Sequence, residues 1–249
     1  WSARPRHPAP APQIVPMGIE PCLWCVVPAA GRGTRFGADL PKQYLSLAGR
    51  PLIEHTLQRL AAQPRVAGLM LALAADDRRW DEVRSFAGKP LLTIPGGGQR
   101  ADSVLAALHA LPESVGDDDF VLVHDAARPC VRHQDITHLI ERGIPAGGAL
   151  LGAPLRDTLK QADAAGRSAC TEPREARWRA FTPQMFRRGE LTRALADALA
   201  AGVTVTDEAM AMEHAGFAPL LVEGAEDNIK VTTPADLALA EFLLPKTRE

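Results

Sequence analysis

The sequence predicts a single α/β domain with a mostly parallel, Rossmann-like sheet and helices on both of its faces. Short apolar segments of strand length alternate along the chain with segments whose apolar residues recur at helical spacing. This βαβα alternation is typical of a parallel sheet that is covered on both faces. The chain has 249 residues, of which 46% are hydrophobic and 23% are charged, and this is enough for one sizeable core.

The first half of the chain supplies most of the predicted sheet. Each predicted strand is an apolar run that leads into a loop or a turn, whereas the helices are segments with apolar or charged residues at helical spacing. The predicted strands are residues 22–28, 66–74, 91–94 and 120–124. The predicted helices are residues 52–60, 76–86, 103–111 and 135–142, the second of which is charged.

The α/β pattern is interrupted once in the second half. Residues 149–160 read as a strand and a turn, but residues 161–180 lose clean periodicity and gain arginines, so we expect this insertion to leave the sheet. The pattern then resumes with helices at 190–201, 207–215 and 234–244 and a strand at 219–222. Thr233 is the expected N-cap of the last helix because it precedes Pro234 at the first helical position.

Residues 1–20 are expected to form a disordered extension in front of the domain, which spans residues 21–249. The segment 1–16 holds five prolines and lacks the apolar region of a secretion signal. Met17 is the expected natural start. No linker divides the rest of the chain.

The composition argues against several functional classes. The net charge of −2 and the isoelectric point near 6.4 disfavour a nucleic-acid or membrane-surface binder, because such proteins usually carry a basic excess. No apolar stretch approaches the roughly 20 residues of a membrane-spanning helix. Four cysteines are too few for a disulfide scaffold and indicate a reducing compartment, so we expect a cytoplasmic protein. Cys22 and Cys25 spell C-x-x-C, but no second pair completes a zinc set, and both are expected to be ordinary strand residues.

The candidate site lies at the carboxyl edge of the predicted sheet, where the loops leave the strands for the helices. Four unusual loops occur there, at residues 28–43, 95–103, 125–129 and 226–232. Besides glycines they offer Arg35, Lys42, Arg100, Ser103, Asp125, Arg128 and Lys230. Backbone N–H groups of glycine turns together with several cations indicate a polyphosphate site.

The first of these loops matches neither of two familiar phosphate-binding motifs. The dinucleotide fingerprint G-x-G-x-x-G needs glycine where this chain has Phe36, and G-x-x-x-x-G-K-[ST] fails because Ala38 follows Gly37. A dehydrogenase is therefore disfavoured, and a different phosphate-binding design is expected.

Seven motifs that follow one another along residues 22–244 resemble one family of nucleotidyltransferases. The first combines Pro28-Ala-Ala-Gly-Arg-Gly-Thr-Arg35 with Pro41-Lys42-Gln43-Tyr44. The others are residues 96–104 (GGGQRADSV), 123–129 (VHDAARP), 156–158 (RDT), 182–184 (TPQ), 206–209 (TDEA) and 227–232 (DNIKVT). They resemble the 2-C-methyl-D-erythritol 4-phosphate cytidylyltransferase family, which uses CTP in the non-mevalonate isoprenoid route.

The resemblance implies a fold of the nucleotide-diphospho-sugar transferase type with a protruding dimerisation arm at residues 156–181. It implies that CMP is transferred from CTP to 2-C-methyl-D-erythritol 4-phosphate in a homodimer, with release of pyrophosphate and no covalent enzyme intermediate. No nucleic-acid or membrane partner is expected.

The resemblance also implies four catalytic residues. Arg35 and Lys42 would stabilise charge on the pentavalent α-phosphate, which suits a reaction in which positioning and cation placement supply most of the barrier reduction. Lys230 and Arg174 would position the polyol phosphate, with Arg174 reaching from the arm into the active site of the second subunit. Two neighbouring arginines, Arg177 and Arg179, are alternatives for this last role.

Substrate contacts are implied at further matching positions. The resemblance assigns CTP contacts to Ala29, Ala30 and Gly31, cytosine contacts to Gly97, Gly98 and Ser103, nucleotide-side positions to Asp125, Ala126 and Arg128, and further substrate-side positions to Thr158, Thr206 and Asp227. Many relatives carry an acidic residue at the position of Gly98, so only a backbone contact is expected there. Ser103 equally suits a helix N-cap or first turn, and Arg128 equally suits a structural ion pair.

Asp125 is the expected metal residue. It closes a buried strand at the carboxyl edge of the sheet, and Mg²⁺ prefers one or two carboxylates together with substrate phosphates. We therefore expect Mg²⁺ or another divalent cation, with Asp227 as a weaker candidate ligand. Without the motif, an aspartate at such a position is more often a turn or N-cap residue.

Two alternatives remain open at this point. A ribitol 5-phosphate cytidylyltransferase shares the first loop and an N-I-K-V-T segment, although Arg156-Asp157-Thr158 and the arginine-bearing arm favour methylerythritol phosphate. A noncatalytic nucleotide-binding module of the same fold is the alternative of another class, since a fold alone does not imply activity.

Overall fold

The computed structural model describes residues 23–31, 40–80 and 85–246. The expected N-terminal extension at 1–20, together with Cys22, Arg35 and Phe36, lies outside the described residues. Within the described residues, no helix has both the length and the apolar character needed to cross a membrane.

The regular elements of the described residues are short strands and helices in near alternation. The strands are β1 (Leu23–Ala29), β2 (Ser46–Leu47), β3 (Arg50–Pro51), β4 (Val66–Leu73), β5 (Ser85–Phe86), β6 (Lys89–Pro95), β7 (Phe120–Val123), β8 (Gly148–Pro154), β9 (Leu159–Ala162), β10 (Ser168–Glu172), β11 (Trp178–Arg187) and β12 (Leu220–Glu223). The helices are α1 (Leu52–Ala61), α2 (Arg100–His109), α3 (His133–Ala146), α4 (Arg188–Ala200), α5 (Glu208–His214) and α6 (Pro234–Leu243).

Eight of the described strands form one sheet in the order β12-β8-β11-β7-β1-β4-β6-β5. Neighbouring strands are parallel at the β12–β8, β7–β1, β1–β4 and β4–β6 pairs. β11 runs antiparallel to both β7 and β8, and β5 runs antiparallel to β6. The prediction of a mostly parallel sheet is confirmed, and the carboxyl ends of six strands share one edge.

Helices pack on both faces of the sheet, as predicted. Along β1 the side chains alternate, so that Leu23, Cys25 and Val27 face one core while Trp24 and Val26 face the other. The first core also contains apolar residues of α1 and α3, and the second contains those of α2, α4 and α5. β1 is therefore buried on both sides, and its carboxyl end at Ala29 is a rigid part of the sheet.

The predicted charged helix at residues 76–86 is wrong for the residues described there. Residues 76–80 form a turn and bends, and residues 85–86 form β5. Asp77 explains the turn, because its Oδ1 accepts a hydrogen bond of 2.8 Å from the backbone N–H of Arg79. Its Oδ2 accepts a second bond of 2.8 Å from the Tyr44 hydroxyl. Side-chain bonds of this kind compete with helix formation.

β11 is a strand that the sequence analysis did not assign. It lies between β7 and β8, and residues 181–186 within it are all buried. Pro183 follows a cis peptide bond in the middle of this run. A proline argues against a central strand when only the sequence is read, because it cannot donate a ladder hydrogen bond.

The insertion after β8 leaves the sheet as an antiparallel hairpin. β9 and β10 form a two-stranded sheet of their own, and the residues of both strands are exposed apart from the half-buried Glu172. The base of the hairpin is closed by a hydrogen bond of 2.8 Å from Leu155 N–H to the Arg177 carbonyl. Residues 178–180, which fall in the predicted arm, already pair with β8 in the main sheet.

Candidate active site

A cavity of about 480 Å³ opens at the carboxyl edge of the sheet. Its described lining consists of Pro28, Ala29, Ala30, Gly31, Lys42, Gln43, Gly97, Gly98, Gln99, Arg100, Ser103, Asp125, Ala126, Ala127, Lys230 and Thr232. β1 and β7 are neighbours in the sheet, and the chain leaves them towards opposite sides, to β4 and to β8. Such a switch point leaves a crevice between the loops. Each of the four loops predicted from the sequence contributes to this cavity.

The first loop approaches the cavity from both of its described ends. Ala29, Ala30 and Gly31 line the wall where β1 ends, and Lys42 lines it where the chain resumes. The buried side chain of Gln43 donates a hydrogen bond of 2.7 Å to the Ala29 carbonyl. This bond ties the two ends together, so that Lys42 is held beside the strand end. Arg35, predicted in the same loop, lies outside the described residues.

The second loop is a glycine turn that opens the N-terminus of α2 onto the cavity. A Cβ atom at Gly96 would lie 2.6 Å from Ala30 Cβ, and one at Gly97 would lie 2.3 Å from Asp102 Cβ, so both positions require glycine. At Gly98 the nearest atom would be Asp102 Oδ2 at 3.8 Å, which leaves room for a side chain. A helix N-terminus with accessible backbone N–H groups favours a bound anion.

Ser103 organises this second loop from the first turn of α2. Its Oγ accepts a hydrogen bond of 3.1 Å from Gly97 N–H and donates one of 3.0 Å to the Gln99 carbonyl. Gln99 is the N-cap of α2, and Asp102 completes its capping box. The first-turn position weighed in the sequence analysis is therefore the observed one, and the side chain also faces the cavity.

Asp125 is the centre of an ion-pair cluster at the cavity wall. Its Oδ1 lies 2.9 Å from Arg100 Nε, and its Oδ2 lies 2.8 Å from Lys230 Nζ. Arg128 Nε lies 3.6 Å from the same Oδ2. Arg100 in turn binds Glu208 with two hydrogen bonds of 2.6 and 3.0 Å. Cations and carboxylates thus alternate through this cluster.

The cluster keeps Asp125 ionised. Burial alone would raise the pKa of this carboxyl, but the charges of Arg100 and Lys230 outweigh burial and hold it well below its usual range. The pKa of Arg100 is raised above its ordinary value, because Glu208 and Asp125 outweigh the effect of burial. The charged side chains in the described cavity lining are Lys42, Arg100, Lys230 and Asp125, which leaves an excess of positive charge for an anionic ligand.

A buried hydrogen-bond chain fixes the turn that carries Asp125. The Thr182 hydroxyl oxygen accepts a bond of 3.0 Å from Asp125 N–H and lies 3.1 Å from His124 Nδ1. His124 Nε2 lies 3.1 Å from the Arg128 carbonyl, which can only accept, so Nε2 carries the proton and Nδ1 accepts from Thr182. Burial lowers the pKa of His124 to about 4, so this ring is neutral at ordinary pH. The chain joins the turn to β11.

Arg128 lies behind the cavity wall rather than in the described lining. Its Nη1 donates a hydrogen bond of 2.6 Å to the Asn228 carbonyl, and its guanidinium lies 5.2 Å from the centre of the Phe181 ring. Burial lowers its pKa, although Asp125 opposes this effect. Arg128 therefore connects the Asp125 turn to the loop that carries Lys230, which is the structural role weighed in the sequence analysis.

Four other predicted residues lie away from the described lining of the cavity. Thr158 is exposed near the start of the hairpin, and Thr206 contacts Met210 Sδ through its hydroxyl at 3.4 Å. Arg174 is exposed just after β10 and donates a hydrogen bond to the Arg156 carbonyl. Asp227 pairs with Arg132, whose Nε lies 3.2 Å from Asp227 Oδ1. The predicted role of Arg174 concerns a second subunit.

Asp125 fits a metal site as a single protein ligand. In the described part of the chain, no group of three or more His, Cys, Asp or Glu side chains is arranged to hold a metal ion. Asp125 is the one carboxylate in the described lining of the cavity, whereas Asp227 lies outside that lining. Mg²⁺ usually takes one or two carboxylates together with waters and substrate phosphates, so this donor set suits an ion that arrives with a polyphosphate.

Arg100 and Thr182 contribute to the site although the sequence assigned neither of them a role. Arg100 was recognised as a loop cation, but its partners Asp125 and Glu208 lie 25 and 108 positions away in the chain. Thr182 was recognised only as part of a motif, and its partner Asp125 is 57 positions away. The family motifs at residues 206–209 and 182–184 include Glu208, the partner of Arg100, and Thr182. Sequence spacing alone does not show that these residues make the contacts.

Comparison with protein families gives a match that spans nearly all described residues. The family model described as 2-C-methyl-D-erythritol 4-phosphate cytidylyltransferase, IspD, matches residues 23–246. A protein of that name from Stenotrophomonas maltophilia strain K279a is 60% identical over 229 residues, which are 92% of this chain and 99% of that protein. One from Xanthomonas axonopodis pv. citri strain 306 is 61% identical over 224 residues, which are 89% of this chain and 84% of that protein.

Comparison with solved structures also matches the fold to structures of this family. A crystal structure of 4-diphosphocytidyl-2C-methyl-D-erythritol synthase matches with a TM-score of 0.78 at 32% identity, over 90% of this chain and 99% of that one. The 2-C-methyl-D-erythritol 4-phosphate cytidylyltransferase of Francisella tularensis matches with a TM-score of 0.76 at 33% identity, over 89% of this chain and 99% of that one.

Proposed function

Because this chain belongs to the 2-C-methyl-D-erythritol 4-phosphate cytidylyltransferase family, we propose that it transfers CMP from CTP to 2-C-methyl-D-erythritol 4-phosphate. The products are 4-diphosphocytidyl-2-C-methyl-D-erythritol and pyrophosphate, in the non-mevalonate isoprenoid pathway. The observation that carries the proposal is the cavity whose described lining combines Lys42, Arg100 and Lys230 with one carboxylate, Asp125, to which Arg100 and Lys230 are paired. An anionic triphosphate and an anionic polyol phosphate have complementary charge to this wall.

The chemistry that we propose is an in-line displacement without a covalent enzyme intermediate. A phosphate oxygen of methylerythritol phosphate forms a bond to the α-phosphorus of CTP, and the bond from that phosphorus to the bridging oxygen of the β-phosphate breaks. The electron pair leaves with pyrophosphate. Lys42 and Arg35 stabilise the charge that develops on the α-phosphate, while Lys230 positions the attacking phosphate.

The residues around the glycine turn suit the recognition of the nucleotide. The Ser103 hydroxyl already donates to the Gln99 carbonyl and accepts from Gly97 N–H, so it holds the turn in shape. We propose that the backbone at Gly97 and Gly98 reads the cytosine edge and that Ala29, Ala30 and Gly31 contact the nucleotide. Selection of a base by backbone groups requires a rigid turn, and the tight packing of Gly96 and Gly97 supports this.

We propose Mg²⁺, or another divalent cation, as the cofactor, with Asp125 as its protein ligand. When bound, the ion would neutralise phosphate charge and polarise the α-phosphate. The support is the chemistry of Asp125, a carboxylate kept ionised at the wall of an otherwise cationic cavity. Removal of divalent ions with EDTA should abolish pyrophosphate release, and added Mg²⁺ should restore it; full activity in EDTA would contradict this part of the proposal.

We also propose a homodimer in which the β9–β10 hairpin, the predicted arm, pairs with the arm of a second subunit. In this arrangement Arg174 of one subunit positions the polyol phosphate in the other. The hairpin is exposed in the single chain, and Arg174 lies outside the described lining of its own cavity, as an in-trans role requires. Sedimentation should show a dimer at micromolar concentration, and a monomer would count against the role of Arg174. From the low cysteine content we expect a cytoplasmic protein.

A single assay tests the reaction and its alternatives. Purified protein is incubated with CTP, Mg²⁺ and either methylerythritol phosphate or ribitol 5-phosphate, and pyrophosphate release is measured. We expect release with methylerythritol phosphate. Release with ribitol 5-phosphate alone would reassign the substrate, and CTP binding without release from either mixture would indicate a noncatalytic nucleotide-binding module.

A further inference from the structure

Glu208 is a fully buried carboxylate behind the cavity. It has 0% exposure, begins α5, and is absent from the described lining of the cavity. A buried charge is costly unless it is paired and hydrogen-bonded. Both of its oxygens bind one partner, since Arg100 Nη1 donates to Oε1 at 2.6 Å and Nη2 donates to Oε2 at 3.0 Å.

This paired contact determines how Arg100 faces the cavity. Because the guanidinium is a rigid planar fork, two bonds from its terminal nitrogens to Glu208 fix the direction of the remaining Nε–H. That Nε–H donates to Asp125 Oδ1 at 2.9 Å. Asp125 Oδ2 is thereby left for Lys230 Nζ at 2.8 Å. A chain of alternating charge thus runs from Glu208 through Arg100 and Asp125 to Lys230.

The residues immediately before and after Glu208 are both held by one buried side chain of β11. Gln184 donates from Nε2 to Asp207 Oδ2 at 2.9 Å and accepts at Oε1 from Ala209 N–H at 2.7 Å. Asp207 also caps α5 by accepting from Met210 N–H at 2.9 Å. The residues before and after Glu208 are therefore fixed to the central sheet. This is the supporting arrangement that a precisely held charge needs.

We propose that Glu208 is a positioning residue of the reaction, which orients Arg100 and through it the Asp125–Lys230 pair before substrates bind. This inference rests on the proposed cytidylyl transfer. A preorganised cation already points in the required direction, so no free energy of reorganisation is needed when charge develops on the reacting phosphates. Without Glu208, the Arg100 fork would be free to turn onto both oxygens of Asp125 and displace Lys230.

The test compares Glu208→Gln with Glu213→Gln. Glu213 lies on the same helix, is exposed, and is no part of the cluster, so its variant makes the same change in charge without the contact to Arg100. We expect Glu208→Gln to lower kcat about 10- to 100-fold, as small misplacements at reacting groups do, with KM for both substrates within about threefold of wild type. Glu213→Gln should have the kcat of wild type.

A mutant cycle separates this role from general stabilisation. In an Arg100→Lys background the fork is absent, so adding Glu208→Gln should lower kcat by less than about threefold further. Glu208→Asp serves if Glu208→Gln does not fold. It keeps the charge but shortens the side chain, and we expect the same fall in kcat with KM retained.

Three results would overturn the inference. The first is a folded Glu208→Gln or Glu208→Asp protein with the kcat of wild type. The second is a rise in KM with unchanged kcat in either variant. The third is a mutant cycle in which Glu208→Gln lowers kcat as much in the Arg100→Lys background as in wild type. If wild type and Glu213→Gln release pyrophosphate, these results count against Glu208 alone. An inactive wild-type protein would overturn the proposed function, and the role of Glu208 with it.

Discussion

Lys42 is the residue whose predicted role depends most on the transition state. It lies at the cavity wall, where the buried Gln43 next to it binds the end of β1 through the Ala29 carbonyl. A cation held in this way can stabilise charge that grows during transfer, whereas a mobile surface lysine would contribute little. The position of Lys42 was expected from the first loop, and the bond that fixes it was not.

We predict that Lys42→Ala lowers turnover by about a hundredfold or more while the Kd for CTP rises by less than about fivefold. The reason is that Lys42 acts on charge that is greatest in the transition state. Steady-state pyrophosphate release gives kcat, and calorimetric titration with CTP gives the Kd. Lys89→Ala is the control, because Lys89 starts β6 at the opposite edge of the sheet. Turnover within about threefold of wild type would refute the assigned role.

For Asp125 the sequence predicted the position in the sheet but not the groups that contact it. Its position could be predicted because Asp125 closely follows the buried strand β7, and the carboxyl ends of parallel strands meet at one edge. Its ionisation depends on Arg100 and Lys230, which come from other loops. Glu208 could not be distinguished from an ordinary first-turn acidic residue of a helix, since its partner Arg100 lies 108 positions earlier.

Among the elements, those with one clear apolar period were the easiest to predict. α1 was expected at residues 52–60 and is observed at Leu52–Ala61, with the buried face that its spacing indicated. The N-cap of α6 was also confirmed, since Thr233 accepts a hydrogen bond from Asp236 N–H. β11 was missed because Pro183 breaks the strand signal, while tertiary pairing with β7 and β8 decides its conformation.

The β9–β10 hairpin is the element to which the proposed homodimer assigns both dimerisation and a contact with the polyol phosphate. We predict that replacing residues 157–175 with a short Gly-Ser turn gives a folded monomer with at least about tenfold lower kcat/KM for the polyol phosphate. The fold should survive, because the Leu155–Arg177 bond closes the hairpin at its base and loop length affects stability only weakly. Sedimentation and far-UV circular dichroism measure the two properties.

The matched control for the arm is Arg174→Ala in the full-length hairpin. It should remain a dimer and lose about 10- to 100-fold in kcat/KM for the polyol phosphate, as expected when one charge-assisted hydrogen bond to a phosphate is removed. A dimer after replacement of the arm would show that another surface joins the subunits. An unchanged kcat/KM in Arg174→Ala would contradict the role of Arg174 and indicate that Arg177 or Arg179 positions the polyol phosphate.

At the scale of the whole molecule, positive charge is concentrated locally in the cavity, whereas apolar residues are buried on both faces of the sheet. The net charge of −2 is small, yet the described lining of the cavity contains three cations, Lys42, Arg100 and Lys230, and one carboxylate, Asp125. A local excess of this kind binds an anion without making the whole surface basic. The apolar residues instead divide into large cores on the two faces of the sheet, and the site lies at the edge between them.

The two large cores share the strands of one sheet, and this predicts cooperative unfolding. Leu57 of α1 is fully buried in one core, and Leu195 of α4 is fully buried in the other. We predict that Leu57→Ala and Leu195→Ala each lower the free energy of unfolding by about 2–5 kcal/mol, and that the double variant loses the sum within about 0.5 kcal/mol. Urea titrations followed by circular dichroism and by tryptophan fluorescence provide these values.

Both probes should report one coincident transition in every variant. β1 gives alternate side chains to the two cores, so neither core can be lost while the strand stays in place. Chains of this size often populate intermediates, and coincidence is therefore an informative result. Leu239→Ala is the control, because this leucine on α6 is 46% exposed and should change the free energy by no more than about 0.5 kcal/mol. Separate transitions for the two probes would show that the faces of the sheet unfold independently, and the edge between them would then be a hinge rather than a rigid support for the site.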